Sequence, residues 1–231
     1  MDRQRRDLLL KAGVAGVGLL AGSCSSPDMR TDQESDVDRA VLSAPEELMR
    51  DHGVVQRLGL VYDHLADRLE AGEDIQRDSL LNASQLVDEF VAGYHEYLEE
   101  KFIFPLVEDH GDFSDLVSVL RRQHLRGRSL SSRCYSLAAG GDLRDETRRG
   151  ELIDAARSHT LMYRAHAARE DTDLFPALRL LLTAKEFIAL REKFSQAREE
   201  KLGEASFAKI SGRLAEIEKE LGIHALSGYT P

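Results

Sequence analysis

Two copies of one short pattern carry the side chains of this sequence that are best suited to binding metal. The pattern is His-x3-Glu-x4-Phe-Pro, and it begins at His95 and again at His166, 71 residues later. On an α-helix, residues four apart lie on one face with Cβ atoms about 5–6 Å apart, so this His and Glu can reach the same metal centre. A lone histidine precedes each copy: His52 lies 43 residues before His95, and His124 lies 42 residues before His166. The sequence therefore predicts two similar halves, each supplying two imidazoles and one carboxylate.

This combined set of side chains indicates a centre with more than one metal ion. Imidazole nitrogen suits Zn, Cu, Fe and Ni, and carboxylate oxygen adds a harder donor. Four imidazoles and two carboxylates are too many for one tetrahedral zinc site, whereas they suit two irons bridged by carboxylates. The predicted metal ligands are His52, His95, Glu99, His124, His166 and Glu170.

The alternative interpretation is that these histidines are unrelated core or surface residues. Each of them, however, lies on an apolar stripe with steps of three and four, as His124 does with Leu120 and Gly127. Such a stripe is typical of a helix packed in a bundle. Carboxylates are almost never fully buried unless they are paired or bound to metal. The repeated spacing therefore favours metal binding. His159, one heptad before His166, is left open as a hydrogen-bond partner of the ligands, an extra ligand or a core residue.

Four long helices are needed to bring these side chains together. Ser43 and Glu46 have the spacing of a capping box, which predicts the start of the first helix. The predicted helices span about 44–71, 78–108, 113–139 and 145–182. Pro105 and Pro176 predict an end or a kink after each copy, because proline has no backbone N–H. Loops of about 4–8 residues between long helices predict antiparallel neighbours. The predicted fold is all-α, an antiparallel up-down four-helix bundle with two additional C-terminal helices.

Composition and charge agree with this class of fold. The chain has 231 residues, no tryptophan and 5 prolines, and alanine, leucine, glutamate and arginine are frequent, which favours an all-helical protein. Its length allows one or two domains with a buried core. The formal net charge of -10 and the pI near 5.3 argue against nucleic acid as a partner.

Residues 1–23 predict an export signal. Arg5 and Arg6, followed by an apolar run from Ala12 to Ala21, resemble a twin-arginine signal. The apolar run is shorter than the roughly 20 residues that a membrane-spanning helix needs. Proteins that use this route are typically folded before export, often with a cofactor loaded, which suits a metalloprotein.

Cys24 is predicted to be the lipidated first residue of the mature protein. It follows a run of small residues that resembles a bacterial lipoprotein cleavage site. Lipidation would hold the protein on the periplasmic side of the membrane through that anchor alone, with residues 24–43 as a polar, flexible tether. Cleavage near Ala21 and an uncleaved anchor are the alternatives. The other cysteine, Cys134, lies on an inward stripe, so we expect a buried packing residue and no intramolecular disulfide.

The C-terminal part predicts two further amphipathic helices. Thr183 and Glu186 have the spacing of a second capping box. The helices that follow could cover the bundle or form a homodimer surface, and the sequence does not decide between these. The predicted domains are a signal (1–23), a tether (24–43), a bundle (44–183) and a C-terminal helical extension (184–231).

With those residues placed, the chain resembles the hemerythrin-like family, also called the HHE cation-binding family. The resemblance covers roughly residues 44–185, and the repeated His-x3-Glu-x4-Phe-Pro is its most specific part. It implies an antiparallel four-helix bundle that holds a non-haem centre of two iron ions. The resemblance also implies that the same six residues are the iron ligands, with Glu99 and Glu170 as bridging carboxylates.

Two positions differ from the pattern of the oxygen-carrying hemerythrins. Those proteins have a His-x3-His pair on the third helix, and here Arg128 stands at the place of the second histidine. They also have His-x4-Asp on the fourth helix, whereas this chain offers both Glu170 and Asp171, and the repeat favours Glu170. Glu96, next to His95, is an additional candidate ligand for the vacant place. More carboxylate and less imidazole should favour ferric iron, so reversible oxygen carriage is not expected.

Three functions follow from this sequence. The favoured one is an exported di-iron protein that binds or senses a small diatomic ligand (O2 or NO) or an oxidant in the cell envelope. The second is an enzyme that breaks down peroxide at the same centre, but the sequence shows no separate substrate pocket or catalytic triad. The third is a metal-free helical bundle acting as an envelope interaction module, and the repeated ligand spacing counts against it. Metal binding or sensing is therefore preferred over catalysis.

Overall fold

The computed structural model describes residues 42–109, 113–203 and 205–230. The export signal, Cys24 and nearly all of the predicted tether lie outside these ranges. Within them, every regular element is helical, which confirms the all-α prediction. None of these helices has an apolar stretch long enough to cross a bilayer.

Six long helical segments account for most of the described chain, and a single 3-10 turn, Leu226–Tyr229, lies near the C-terminus. They are α1 (Ala44–Glu70), α2 (77–109), α3 (Ser114–Ala139), α4 (146–181), α5 (Ala184–Leu202) and α6 (Phe207–Glu220). Segment α2 is continuous but alternates between α-helix and π-helix, and α4 contains one π-helical turn.

Both predicted capping boxes start their helices. The backbone N–H of Ser43 donates to Glu46 Oε2 over 2.8 Å at the start of α1. At the start of α5, the backbone N–H of Thr183 donates to Glu186 Oε2 over 2.8 Å. These contacts satisfy donors that a helix start otherwise leaves unpaired, so short local patterns set where α1 and α5 begin.

Segments α1 to α4 enclose the main core. Consecutive segments contact each other, and α4 also packs along α1. Large side chains from all four meet in the interior and are at most 1% exposed, for example Leu58, Phe90, Leu120 and Leu152. Burying side chains of this size is worth about 1.5–3 kcal/mol each, which makes the apolar stripes the main force that holds these helices together.

The two C-terminal helices lie against α1 and α2. Their inward faces are buried, with Phe194 of α5 and Leu214 of α6 both 0% exposed. Arg57 of α1 pairs with Glu218 of α6 over 2.6 Å at the edge of this contact. These helices therefore cover the bundle, which was one of the two alternatives, and a homodimer stays a prediction.

Candidate metal centre

The six predicted ligands come together in one buried cluster between α1, α2, α3 and α4. Each is at most 2% exposed. Their ligand atoms form two overlapping groups of four, and the atoms of each group lie within 4.8 Å of one another. The first group, position A, is His52, His95, Glu99 and Glu170, and the second group, position B, is Glu99, His124, His166 and Glu170. Two adjacent positions therefore share two carboxylates.

Each shared carboxylate lies between a histidine of its own helix and a histidine of another helix. Glu99 lies 3.4 Å from His95 Nε2, four residues earlier on α2, and 3.4 Å from His124 Nε2 on α3. Glu170 lies 3.2 Å from His166 Nε2 on α4 and 3.2 Å from His52 Nε2 on α1. Local helical spacing supplies one contact of each pair, and helix packing supplies the other.

A π-helical turn begins at each of these two glutamates. The N–H of Phe104 donates to the carbonyl of Glu99, and the N–H of Phe175 donates to the carbonyl of Glu170, five residues back in each case. The proline that follows in each copy has no N–H, so it cannot make the α-helical bond to the residue four before it. Short π turns inside α-helices are frequent at functional sites. Neither helix ends at its proline.

The second ring nitrogen of each histidine faces an acceptor outside the two groups. The Nδ1 distances are 2.8 Å from His52 to Asp171, 2.9 Å from His124 to Glu100, 3.1 Å from His166 to Gln123 and 3.8 Å from His95 to Asp51. An acceptor at Nδ1 places the proton there and leaves the Nε2 lone pair for a metal. The 3.8 Å separation is longer than a hydrogen bond.

Sequence reasoning missed these acceptors, although the repeat contained a signal for two of them. In both copies the glutamate shared by the two groups is followed directly by a second acid, Glu100 or Asp171. That second acid bonds the lone histidine of the other half: Glu100 bonds His124, and Asp171 bonds His52. Asp171 belongs to neither group of four. Of the two acids after His166, Glu170 is therefore the one that lies in the cluster, and the repeat had favoured Glu170.

The buried oxygens of the cluster fit a pair of cations. None of the four side-chain oxygens of Glu99 and Glu170 has a hydrogen-bond partner within the described ranges. A buried carboxylate without a hydrogen-bond partner is costly, and a cation beside it would offset that cost, so this donor set suits divalent or trivalent ions. These residues therefore fit the two-iron centre that the sequence predicted.

Without metal, charge is unevenly distributed over the cluster. Burial, with the nearby Glu170 carboxylate adding to it, raises the pKa of Glu99. Burial alone would also raise the pKa of Glu170, but the neighbouring His166 and His52 hold that pKa well below its usual value. Burial opposes protonation of His52, but its hydrogen bond to Asp171 and the nearby Glu170 carboxylate raise its pKa to about 10. Without metal, the raised pKa values favour a proton on Glu99 and a second proton on His52. A metal binds deprotonated ligands, so metal binding would displace these protons.

Glu96 has other partners. Arg128 donates from Nε to Glu96 over 2.6 Å and from Nη2 to Glu100 over 2.6 Å, and the Tyr163 hydroxyl donates to the second oxygen of Glu96. A group of Glu96, Glu100 and His124 also has metal-ligand spacing, but the guanidinium already supplies positive charge between its carboxylates. The structure therefore favours a salt bridge for Glu96 over the role of additional ligand.

Replacing Gly127 with alanine is expected to destabilise the protein. A Cβ at Gly127 would lie far inside van der Waals contact with the Tyr163 ring and hydroxyl. We expect Gly127→Ala to cost about 1–3 kcal/mol of unfolding free energy from overpacking, although alanine favours a helix interior by about 1 kcal/mol. Urea denaturation of the metal-free protein measures this. A Cβ at Gly212 on α6 meets nothing within 4 Å, so Gly212→Ala should stabilise the protein. Equal stabilisation by both changes would contradict the packing argument.

His159 is a core residue between two tyrosines. It is 2% exposed, and its ring centre lies 4.8 Å from that of Tyr62 and 4.6 Å from that of Tyr163. It belongs to neither metal position. Burial lowers its pKa to about 3. Of the three roles left open by the sequence, the structure favours packing in the core.

This buried imidazole should make the fold sensitive to acid. His159 is neutral in the folded chain down to about pH 3, whereas the unfolded chain takes up a proton below about pH 6.5. Stability is therefore lost as the pH falls between these values, by up to about 1.4 kcal/mol per pH unit from this residue. We expect His159→Leu to reduce the slope of unfolding free energy against pH between about pH 6 and pH 4. His224→Leu, in the exposed tail, is the control, and an unchanged slope in His159→Leu would refute the assignment.

Comparisons with known proteins agree with this geometry. The family model described as the hemerythrin HHE cation binding domain matches residues 43–178. Similar proteins include one from Mycobacterium bovis and one from Mycobacterium tuberculosis, both described only as uncharacterized proteins. Each is 36% identical over 220 residues, which cover 95% of this chain and 86% of the relative. No solved structure matches the chain.

Proposed function

This chain belongs to the hemerythrin HHE cation-binding domain family, and on that basis we propose that it is a non-haem di-iron protein that binds or senses O2, NO or an oxidant. One observation carries the proposal: two four-residue groups share both Glu99 and Glu170. Bridging carboxylates with histidines on facing helices are the donor set of di-iron sites in helical bundles. Each position would have two imidazoles and two bridging carboxylates.

Four protein donors leave room for a small ligand at each position. An octahedral ion would keep about two places for solvent or an exogenous molecule. Bound iron would supply ligand binding and electron transfer there. The protein would hold each Nε2 toward the ion, keep the proton on Nδ1 through the outer acceptors, and exclude bulk water, because every ligand is at most 2% exposed.

The donor set argues for sensing or oxidant chemistry rather than reversible oxygen carriage. Both positions have the same two-histidine, two-carboxylate composition. Arg128, at the place of the additional histidine of oxygen carriers, pairs with acids instead. Carboxylate-rich surroundings stabilise an oxidised metal, so these residues would favour electron transfer from a bound metal to an oxidant over reversible binding of O2.

We also propose that the four main segments form an up-down bundle. Contacts between consecutive segments, together with the contact between α1 and α4, support this arrangement.

We propose in addition that the protein lies in the cell envelope, anchored at Cys24, on the basis of the residue pattern of the first 24 residues. Labelling with a radioactive fatty acid, compared between the wild-type protein and Cys24→Ala, tests the anchor.

Iron content and the visible spectrum test the proposed function. The chain from residue 28 onward, which keeps every described residue, would be reconstituted with ferrous iron without oxygen and then desalted. We expect about two irons per chain and an absorption spectrum that changes on adding O2, NO or hydrogen peroxide. Sustained peroxide consumption would instead indicate the enzymatic alternative. A folded, helical protein that retains no iron would exclude the proposal.

A further inference from the structure

A buried trio of side chains connects the C-terminal helix α5 to the bundle. Glu47 of α1 is 3% exposed. Both of its oxygens accept from the Arg198 guanidinium of α5, and one also accepts from the Tyr94 hydroxyl of α2 over 2.5 Å. Charge-assisted bonds to a planar guanidinium fix the position of a carboxylate as well as neutralising it.

Two members of this trio are close in sequence to residues at position A. Tyr94 immediately precedes the ligand His95 on α2, and Asp51 lies one helical turn after Glu47 on α1. Asp51 is 0% exposed, and its Oδ2 lies 3.8 Å from His95 Nδ1. Neither Oδ2 of Asp51 nor Nδ1 of His95 has a hydrogen-bond partner within the described ranges. A movement of less than about 1 Å would bring them to hydrogen-bond distance.

The other three histidines show what is missing at His95. Each has an Nδ1 acceptor at 2.8–3.1 Å. A histidine that binds metal almost always donates its second N–H to a carboxylate, a carbonyl or water. Asp51 is the acidic side chain that faces His95 Nδ1, so we expect its placement to set the orientation and tautomer of His95.

Position B has a matching trio within the bundle itself. There Arg128 of α3 and Tyr163 of α4 hold Glu96 of α2, and Arg128 also holds Glu100, the acceptor of His124. The arginine near position A comes instead from the C-terminal extension. The extension thus supplies the arginine of the trio near position A, and α3 supplies the arginine of the trio near position B.

We propose that Arg198 is a positioning residue for position A. By bonding Glu47, one turn before Asp51, and Tyr94, one residue before His95, it would fix the helix segments that carry this acceptor and this donor. The C-terminal extension would then be a working part of the metal centre. The metal part of this inference rests on the proposed di-iron function. The effect on His95 does not, because it is expected in the metal-free protein as well.

The first test therefore uses metal-free protein. Nitrogen NMR of labelled histidine side chains reports which ring nitrogen carries the proton, and a His95→Asn protein identifies the His95 signals. We expect the proton on Nδ1 in the wild-type protein and a shift toward Nε2 in Arg198→Gln. Arg213→Gln is the matched control, because Arg213 of α6 pairs with Glu89 of α2 on the exposed surface. Its His95 signals should match those of the wild type.

Two further variants keep the test decisive. Asp51→Leu should shift the His95 signals in the same direction, because it removes the acceptor through which Arg198 acts. Arg198→Lys keeps the charge without the two-pronged geometry, so it should give a smaller shift and serves if Arg198→Gln does not fold. His95 signals that are unchanged in Arg198→Gln or in Asp51→Leu would overturn the proposal.

Iron binding of the same proteins separates this inference from the proposed function. We expect Arg198→Gln to bind iron about 10-fold more weakly, with the change confined to one of two Mössbauer signals. Equal affinity and unchanged signals in Arg198→Gln would overturn the claim for the metal centre. If the wild-type protein bound no iron, the proposed function would fail, while the NMR comparison would still decide whether Arg198 positions His95.

Discussion

A Glu170→Ala protein is expected to lose iron from both metal positions at once. Glu170 belongs to position A and position B, and its carboxylate lies 3.2 Å from a histidine nitrogen in each. Removing it would take one donor from each position and leave Glu99 as the only carboxylate that positions A and B share. We expect iron retained after reconstitution and desalting to fall from about two per chain to near zero, as measured by elemental analysis.

Two variants sharpen this experiment. His52→Ala removes a donor from position A only, so it should lower the affinity of one ion and leave the other bound. Asp173→Ala is the matched control, because Asp173 lies in the same π-helical turn as Glu170 but pairs with Arg169 on the surface. It should retain the wild-type iron content. Full iron content in Glu170→Ala would show that the two positions do not share this carboxylate.

Replacing Glu99 with leucine is expected to have opposite effects on stability with and without iron. In the metal-free protein, Glu99 is fully buried, and neither of its oxygens has a hydrogen-bond partner in the part of the chain that the structure describes. Leucine removes that unsatisfied group, so Glu99→Leu should raise the unfolding free energy by about 1–3 kcal/mol. With iron, the wild-type protein gains the free energy of binding, about 4 kcal/mol at a free concentration 1,000 times Kd, and the order should reverse.

Denaturant unfolding with a chelator and with saturating iron measures this reversal. Glu47→Leu is the control, because Glu47 is a similarly buried carboxylate whose oxygens are bonded by Arg198 and Tyr94. Removing one partner of a satisfied buried pair leaves the other charge unpaired, so Glu47→Leu should destabilise the protein under both conditions. If Glu99→Leu destabilised the metal-free protein as Glu47→Leu does, the cluster would be a structural ion-pair network and not a centre prepared for metal.

Burial of the Glu99 carboxyl group without a hydrogen-bond partner in the described part of the chain weakens the metal-free fold, and a bound metal would offset this cost. The apolar core around the cluster, with Phe104 and Phe175 stacked at 5.4 Å and 5.7 Å on the rings of His124 and His52, holds the donors in place nonetheless. A prearranged donor set of this kind reduces the ordering that metal binding would otherwise require.

The sequence by itself determined the local half of the site. The i, i+4 spacing of His95 with Glu99 and of His166 with Glu170 puts each pair on one helical face, and the structure shows both pairs in contact. The apolar stripes and capping boxes likewise determined that the fold is helical and where α1 and α5 begin. These features depend only on residues within about one or two helical turns, so pattern alone predicts them.

Only the tertiary structure decided which side chains meet across helices. Glu99 pairs with His124 and Glu170 with His52 because of how α1 to α4 pack, and no local spacing encodes those contacts. The same packing directs Asp171 to an outer nitrogen and Glu96 to Arg128, although each stands one residue from a predicted ligand. Neighbouring residues on a helix point about 100° apart, so their partners depend on which helices lie on each side. The contact of Arg198 with Glu47, 151 residues away, is likewise decided by the packing of helices and not by local spacing.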